Sequence, residues 1–423
     1  MTINYVCQKC NVGYSEEEAK QVFRCPKCGS LLAKKFTVPT ARANVEPHLP
    51  QSTPEPPKQH EQNGELQRVA QNLRLKVEKE KEYQIIPEPE NQVPEGFASE
   101  GYLFNSEYDQ ALKLKTELTR KYAGKQLEKV IAGEVVSNPH GQCYCITENH
   151  KIRFQKPTAT ETKQRLLSEL KLLSGIGPAR EQTLKQQGYP TIESLRGHPR
   201  WQRQAKDFLK LVEDKDVSGL QEQLRQRLPK SHPLVHYLAG FCQNKKFAII
   251  DVETLGLFGR PIILVGAANI VKSKICTRQF LVRDISEEAS ALWEFVSTLN
   301  GDSVLVSYNG RCFDAPFIRE RLAYYGLQSS GLESDFGVVH FDVLHFARRA
   351  LRGRFRDCRL ETLEPFLGVH RDVNIPGALV PEFYDAYQKS GNVGPLVAIV
   401  EHNKQDLVTL ALLFCSLYRE WQL

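Results

Sequence analysis

Phe247-Ala-Ile-Ile-Asp-Val-Glu-Thr254 places two carboxylates, Asp251 and Glu253, two positions apart at the end of an apolar run. Side chains of a strand alternate between its faces, so read as a strand the stretch puts both acids on one side. Two acids at the end of a buried strand repel each other and lose hydration, and a bound cation is the simplest compensation. An Asp-x-Glu pair is common, however, and usually sits in a solvated loop. Its meaning depends on what the rest of the chain brings to it.

Downstream, Pro261–Ile270 and Thr277–Val282 read as two further short strands with brief connections, which makes an antiparallel meander with the first. Ser286-Glu-Glu288 caps a helix carrying Leu292, Trp293 and Val296. A buried strand, Ser303-Val-Leu-Val-Ser307, follows and ends at Tyr308-Asn-Gly-Arg-Cys-Phe-Asp-Ala-Pro-Phe317. Strand, crossover helix, strand predicts an α/β sheet. Near the end of the chain His402 stands four residues before Asp406 on a predicted helix, so the two share a face.

With 423 residues, 41% of them hydrophobic, and 23 prolines, the chain is too long for one ordinary domain and is expected to hold two or three folded units plus linkers. The net charge of +6 is clustered, which favours an anionic partner, nucleic acid first. There is no signal peptide at Met1-Thr-Ile-Asn4 and no apolar run of membrane-spanning length, so a soluble protein of the reducing cytoplasm is expected. Seven of the eleven cysteines then read as small buried hydrophobes.

The other four fall as Cys7-Gln-Lys-Cys10 and Cys25-Pro-Lys-Cys28, with 14 residues between the pairs. Four thiolates in two tight turns make a closed tetrahedral site, and so short a segment needs such a staple to fold. Residues 1–36 thus resemble a zinc ribbon holding one structural Zn²⁺ on Cys7, Cys10, Cys25 and Cys28; a redox dithiol would need a thioredoxin-like context that is missing. Residues 37–100 read as a linker, rich in Pro, Gln and His over Ala41–Asn63, with a docking helix marked by Leu66, Val69, Leu73 and Val77 and a break at Pro87, Pro89 and Pro94.

Residues 101–236 read as mostly helical. A helix spans Ser106–Tyr122, and a small β-hairpin pairs Val130–Val136 with Cys143–Ile146 around Asn138-Pro-His-Gly141. Leu172-Leu-Ser-Gly-Ile-Gly-Pro-Ala-Arg180 resembles the turn of a helix-hairpin-helix module covering about 166–200, with Leu195 and Trp201 behind it. In such a module Gly175 and Gly177 let the backbone approach a phosphate, with Arg180 alongside, and duplex DNA is held by its backbone without base reading. The alternative is a helix–helix turn that packs protein. The last unit is expected at 237–423.

Taken together, Asp251-x-Glu253, Asn309-x-x-x-Phe313-Asp314 and His402-x-x-x-Asp406 resemble the three exonuclease motifs of the DEDD superfamily. Phe341-Asp-Val-Leu-His-Phe-Ala-Arg-Arg349, Leu360-Glu-Thr-Leu363, Leu367-Gly368, Ile375-Pro-Gly377 with Pro381, and Glu401-His-Asn-Lys-Gln-Asp406 are similar to its YprB-like branch, over Lys245–Leu423. The resemblance implies an RNase H-like mixed sheet with flanking helices, and a 3′–5′ exonuclease. Asp251, Glu253, Asp314 and Asp406 would then hold two Mg²⁺ or Mn²⁺ ions, His402 would be the general base, and Asn309 would position the substrate. Phosphodiester hydrolysis builds charge on attacking, phosphoryl and leaving oxygens, which divalent ions stabilise. One departure stands out: the His–Asp spacing is one residue shorter than in the histidine branch and matches the tyrosine branch, so an orienting role for His402 stays open. Arg348, Arg349, Arg352, Arg354, Arg356 and Arg359 fall within twelve positions and read as a substrate track or, failing that, a solvated face. A structure-specific endonuclease of the same fold and an inactive nucleic-acid-binding scaffold are the rival readings. DNA is favoured over RNA through the hairpin alone; a protein partner through the zinc ribbon is compatible with the sequence.

Overall fold

The computed structural model describes residues 3–7, 13–14, 32–36, 83–87, 102–152, 155–242, 246–256, 259–271, 274–299, 303–327, 339–355 and 357–422. The chain divides into two units, Met1–Lys58 and Gln59–Leu423. In the first, β1 (Ile3–Cys7), β2 (Gly13–Tyr14) and β3 (Leu32–Phe36) form an antiparallel sheet in the order β2-β1-β3. Cys10, Cys25, Cys28 and the side chain of Cys7 lie outside the described residues, as do the linker at 41–63, the docking helix expected at 66–77 and Arg356.

The second unit opens with β4 (Gln84–Ile86) paired parallel to β5 (Tyr102–Phe104), which runs into α1 (Asn105–Lys121). After the hairpin β6 (Glu134–Asn138) and β7 (Gly141–Lys151) come the helices α2 (Ala159–Ser168), α3 (Pro178–Gln186), α4 (Gln202–Glu213) and α5 (Val217–Arg225), and then a short helix, Pro233–Tyr237. The remaining strands are β8 (Lys246–Thr254), β9 (Ile262–Val271), β10 (Lys274–Leu281), β11 (Ser303–Ser307) and β12 (His340–Asp342). They are interleaved with and followed by α6 (Glu288–Thr298), α7 (Asp314–Tyr324), α8 (Val343–Ala350), α9 (Leu360–Leu367), α10 (Val380–Ser390) and the long α11 (Gly394–Glu420). Among the described residues no helix is long and apolar enough to cross a membrane.

One mixed sheet of seven strands organises the unit, in the order β12-β11-β8-β9-β10-β7-β6. The short links among β8, β9 and β10 force antiparallel pairing, whereas the crossovers through α6 and α7 return the chain so that β11 and β12 run parallel to β8. The helix before β11 starts differently from the sequence expectation: Asp284 supplies the cap by accepting from the Ser286 N–H at 3.0 Å, and Ile285–Glu287 forms a 3₁₀ turn before α6.

β8 lies in the middle of the sheet and is covered on both sides. Phe247 and Ile249 pack with Leu407, Leu410 and Phe414 of α11, while Ala248, Ile250 and Val252 pack with Phe295 of α6 and Ile318 of α7. Strand alternation therefore turns Asp251 and Glu253, in phase with Phe247 and Ile249, toward α11.

The hairpin is not a separate small element. β7 pairs with β10 from Lys151 opposite Lys274 to Tyr144 opposite Leu281, so the boundary expected at residue 237 does not divide the hairpin from the sheet. Burial on both faces explains this: Tyr144 and Ile146 pack with Leu264 and Leu281, and Cys143 and Cys145 with Phe280 and Phe295. The middle helices likewise share a core with the sheet, where Leu166, Leu170, Leu220 and Leu224 join Phe341, Phe346 and Phe414.

Candidate active site

Three segments far apart in sequence meet at the carboxyl end of β8. On β8 itself the pairing with β9 shifts register, Glu253 facing Leu264 but Thr254 facing Ile262, and such a bulge re-aims the strand end. Asp314 is the first residue of α7, where a helix N-terminus favours negative charge. Its Oδ1 accepts from the Val252 backbone N–H at 3.1 Å, which ties the acid to β8. The turn leading to it is held by Asp342, whose carboxylate accepts from the N–H groups of Asn309 at 2.9 Å and Arg311 at 3.3 Å. Asn309 is half-buried there with φ +64, left-handed backbone that an asparagine tolerates better than most residues.

The third segment is α11, which brings His402, Asn403 and Asp406. Asn403 Nδ2 donates to Asp251 Oδ2 at 2.7 Å, and its Oδ1 accepts from Gln279 Nε2 at 3.0 Å. Gly266, opposite Asp251 in the ladder, makes room for this, because a Cβ there would lie 2.3 Å from Asn403 Oδ1. His402 Nε2 lies 3.5 Å from Asp406 Oδ2 and 3.9 Å from Glu253 Oε1.

Sequence reasoning missed the group that joins these acids. Arg371, in the loop after α9, donates from Nε and Nη2 to both oxygens of buried Glu364, from Nη2 to Asp406 Oδ1, and from Nη1 to His402 Nδ1 at 3.0 Å. A guanidinium has no lone pair to offer, so His402 Nδ1 is the acceptor and its neutral ring carries the proton on Nε2.

The electrostatics reflect crowding. Burial, then repulsion from Glu253, Asp406 and Asp314, raises the Asp251 carboxyl well above the usual range; burial and repulsion from Asp406 and Asp314 do the same to Glu253. Burial lowers the His402 imidazole, with Asp406 opposing and Arg371 reinforcing. Burial weakens protonation of Arg371, yet Asp406 and Glu364 outweigh it and raise the group further. In donor type, four carboxylates at one place, and in uncompensated charge, the set fits a hard divalent cation. Among the described residues, though, no three His, Cys, Asp or Glu groups are drawn to metal-ligand spacing, and one oxygen of Asp406 is engaged by Arg371.

Residues 248–418 match the family model of the RNase H superfamily. This stretch is an RNase H-like domain. No curated protein matches the chain. Among solved structures, the family B DNA polymerase from the hyperthermophilic archaeon Pyrobaculum calidifontis aligns at 16% identity with a TM-score of 0.32, over 40% of this chain and 24% of the polymerase. The chain thus spans about a quarter of that polymerase's length.

The other expected nucleic-acid contacts fall at the hairpin turn and in the arginine run. Gly175 has φ +81 in the turn before α3, and Gly177 caps that helix with Pro178 at its first position; the helix that such a module implies ahead of the turn ends at Ser168 and gives way to a 3₁₀ turn, Leu170–Leu172. Leu195 and Trp201 are buried in the core behind it. Basic residues here are largely committed: Arg180 donates to Gly175 O and stacks on Trp201, and Lys171 and Lys185 both pair with Glu181. In the arginine run, Arg348, Arg349, Arg352 and Arg354 are exposed; Arg354 pairs with Glu420 at 2.7 Å and Arg359 with Glu107 at 3.0 Å.

Proposed function

We propose that the RNase H-like domain is a metal-dependent nuclease that hydrolyses phosphodiester bonds, acting as a 3′–5′ exonuclease on DNA. The observation that carries the proposal is the convergence of Asp251, Glu253, Asp314 and Asp406 on one buried spot with less positive charge than they need. The motif resemblance supports the exonuclease mode and the hairpin supports DNA.

In this reading the four carboxylates hold Mg²⁺ or Mn²⁺, which supplies Lewis-acid activation of water and phosphate. Asn403 keeps Asp251 turned inward, and the Val252 N–H does the same for Asp314. His402 presents an N–H between Glu253 and Asp406, so it orients rather than takes a proton unless Arg371 releases Nδ1. Nucleic acid is assigned to Gly175, Gly177 and Arg180 at the hairpin, to Asn309, and to Arg348, Arg349, Arg352 and Arg356. Arg354 is a weaker candidate because Glu420 already neutralises it. Structural zinc on Cys7, Cys10, Cys25 and Cys28 rests on spacing alone.

A Mg²⁺ or Mn²⁺ time course on 5′-labelled single- and double-stranded DNA and RNA tests the proposal, with Asp314→Ala alongside. A ladder shortening from the 3′ end, lost in Asp314→Ala by roughly a thousandfold or more, is expected. Discrete internal cuts would make the protein an endonuclease, and no metal-dependent cleavage of any substrate would reject an enzyme altogether.

A further inference from the structure

The turn between β11 and α7 carries an arginine that the acid cluster does not use. Asp314 starts α7, and three residues earlier the Arg311 N–H donates to Asp342 Oδ2 at 3.3 Å. Its half-buried side chain turns to β12, the last strand of the sheet, where Nη2 donates to the His340 carbonyl oxygen. Leu220 and Leu224 of α5 share a core with Phe341, which sets Arg225, the last residue of α5, beside the same stretch of β12. Burial, then repulsion from Arg225, weakens protonation of Arg311. Burial, then Arg311 and Arg225, holds the His340 imidazole down to about 3, with its Nε2 2.7 Å from Ser307 Oγ.

This pair of cations is poorly answered by acids. The Asp342 carboxylate already accepts from two backbone N–H groups. Glu222 stands 4.0 Å from Arg225 with 65% of its side chain exposed, where an ion pair contributes little. One turn before Arg225, Gln221 is only 4% exposed, and its Oε1 accepts from Arg225 Nη2 at 3.4 Å. Its Nε2 is buried with no acceptor among the described residues, which is costly for an amide donor. Two like charges beside an unsatisfied N–H donor are what an anion with several acceptor oxygens would complete.

We propose that Gln221, Arg225 and Arg311 form a subsite for one backbone phosphate of the nucleic-acid strand, on the 5′ side of the bond at the acid cluster. The inference rests on the nuclease reading above and adds the place where the uncleaved part of the strand is held. Three residues of chain span at most about 11 Å, so the Arg311 backbone stays within that distance of Asp314. With one charge per roughly 3.4 Å of strand, the held phosphate falls within the first few nucleotides. If Gln221 and Arg225 only fixed α5, replacing them would change stability but not which phosphate the protein senses.

The test is binding of labelled single-stranded DNA to the metal-free full-length protein, followed by fluorescence anisotropy across a range of salt. Phosphates near the 3′ end are replaced one at a time by neutral methylphosphonates. Wild type is expected to lose affinity roughly tenfold at one of these positions. Arg225→Gln should bind the unmodified strand roughly tenfold more weakly and no longer sense that position. Its plot of log affinity against log salt should flatten by about 0.7. Gln221→Leu, which removes the unpaired donor but no charge, should weaken binding and keep the wild-type slope. An Arg225→Gln protein with the wild-type slope, or one that still senses the same phosphate, would overturn the inference. Should the variants fail to fold, the scan on wild type still decides, because the absence of any sensitive phosphate near the 3′ end rejects the subsite. Failure of the nuclease reading looks different: wild type would cleave nothing with Mg²⁺ or Mn²⁺, while phosphate sensing and its loss in Arg225→Gln persisted.

Discussion

Asn403 sits where Asp251 needs a donor that carries no charge. A cation there would repel a metal, and an acid would add to a cluster already short of positive charge. Both ends of the amide are used, one on Asp251 and one on Gln279, so its orientation is set. Asn403→Ala frees Asp251 Oδ2 and leaves the Gln279 amide with one acceptor fewer. Loss of such a supporting hydrogen bond is expected to lower kcat/KM for nucleic-acid cleavage about 10- to 100-fold. Urea denaturation should show a loss of about 1–3 kcal/mol from the buried groups left unpaired. Wild-type kcat/KM in this variant would remove Asn403 from the site. The acids it serves were readable in sequence because each follows a recognisable strand or shares a helix face. Arg371 was not, since Val369-His-Arg-Asp-Val-Asn374 reads as an ordinary polar loop. Its marker lay elsewhere: Glu364 falls four residues after Leu360, on the side of α9 that buries Leu360 and Leu363, and a charge on an apolar helix face calls for a partner.

At the scale of elements, strands were legible where the period is two and the links are short. β8, β9 and β10 came out within a few residues of their observed ends, as did β11. The hairpin was seen, but not its place, because pairing partners more than a hundred residues apart leave no local trace. The short helix Pro233–Tyr237 lies where the last domain boundary was expected. His236 at its C-terminal end is buried between Phe346 and Phe414, and its Nδ1 accepts from the Trp421 indole N–H at 2.8 Å. Burial pushes this imidazole down to about 3. Between that value and about 6.5 the unfolded chain binds the proton and the folded one does not. The stabilisation is therefore complete above about pH 6.5 and is lost as pH falls toward 3. His236→Phe removes this dependence, so its Tm relative to wild type should rise steadily from pH 7.5 to pH 4.5. A difference independent of pH would show that His236 does not control acid sensitivity.

For the whole molecule, the question is whether residues 237–423 form a folding unit, as a motif-based boundary implies. Three sets of contacts argue that they do not. Without β7, the β10 edge presents unpaired backbone groups. Without α2 and α5, the aromatic side chains Phe341, Phe346 and Phe414 lose Leu166, Leu220 and Leu224 as neighbours. Without α1, the start of α11 loses the packing that lets Gly394 sit so close to Leu118 that an added Cβ would come within 2.4 Å of its carbonyl oxygen. That helix carries His402, Asn403 and Asp406, so the packing that steadies it steadies the candidate site. A bare apolar face and an open edge together favour association over a unique fold. The chain cut to residues 237–423 is accordingly expected to aggregate or to bind hydrophobic dyes with no cooperative urea transition, whereas residues 59–423 should unfold cooperatively. A monomeric 237–423 fragment with a transition midpoint equal to that of 59–423 would show that the strands β8 to β12 need neither the hairpin nor the middle helices.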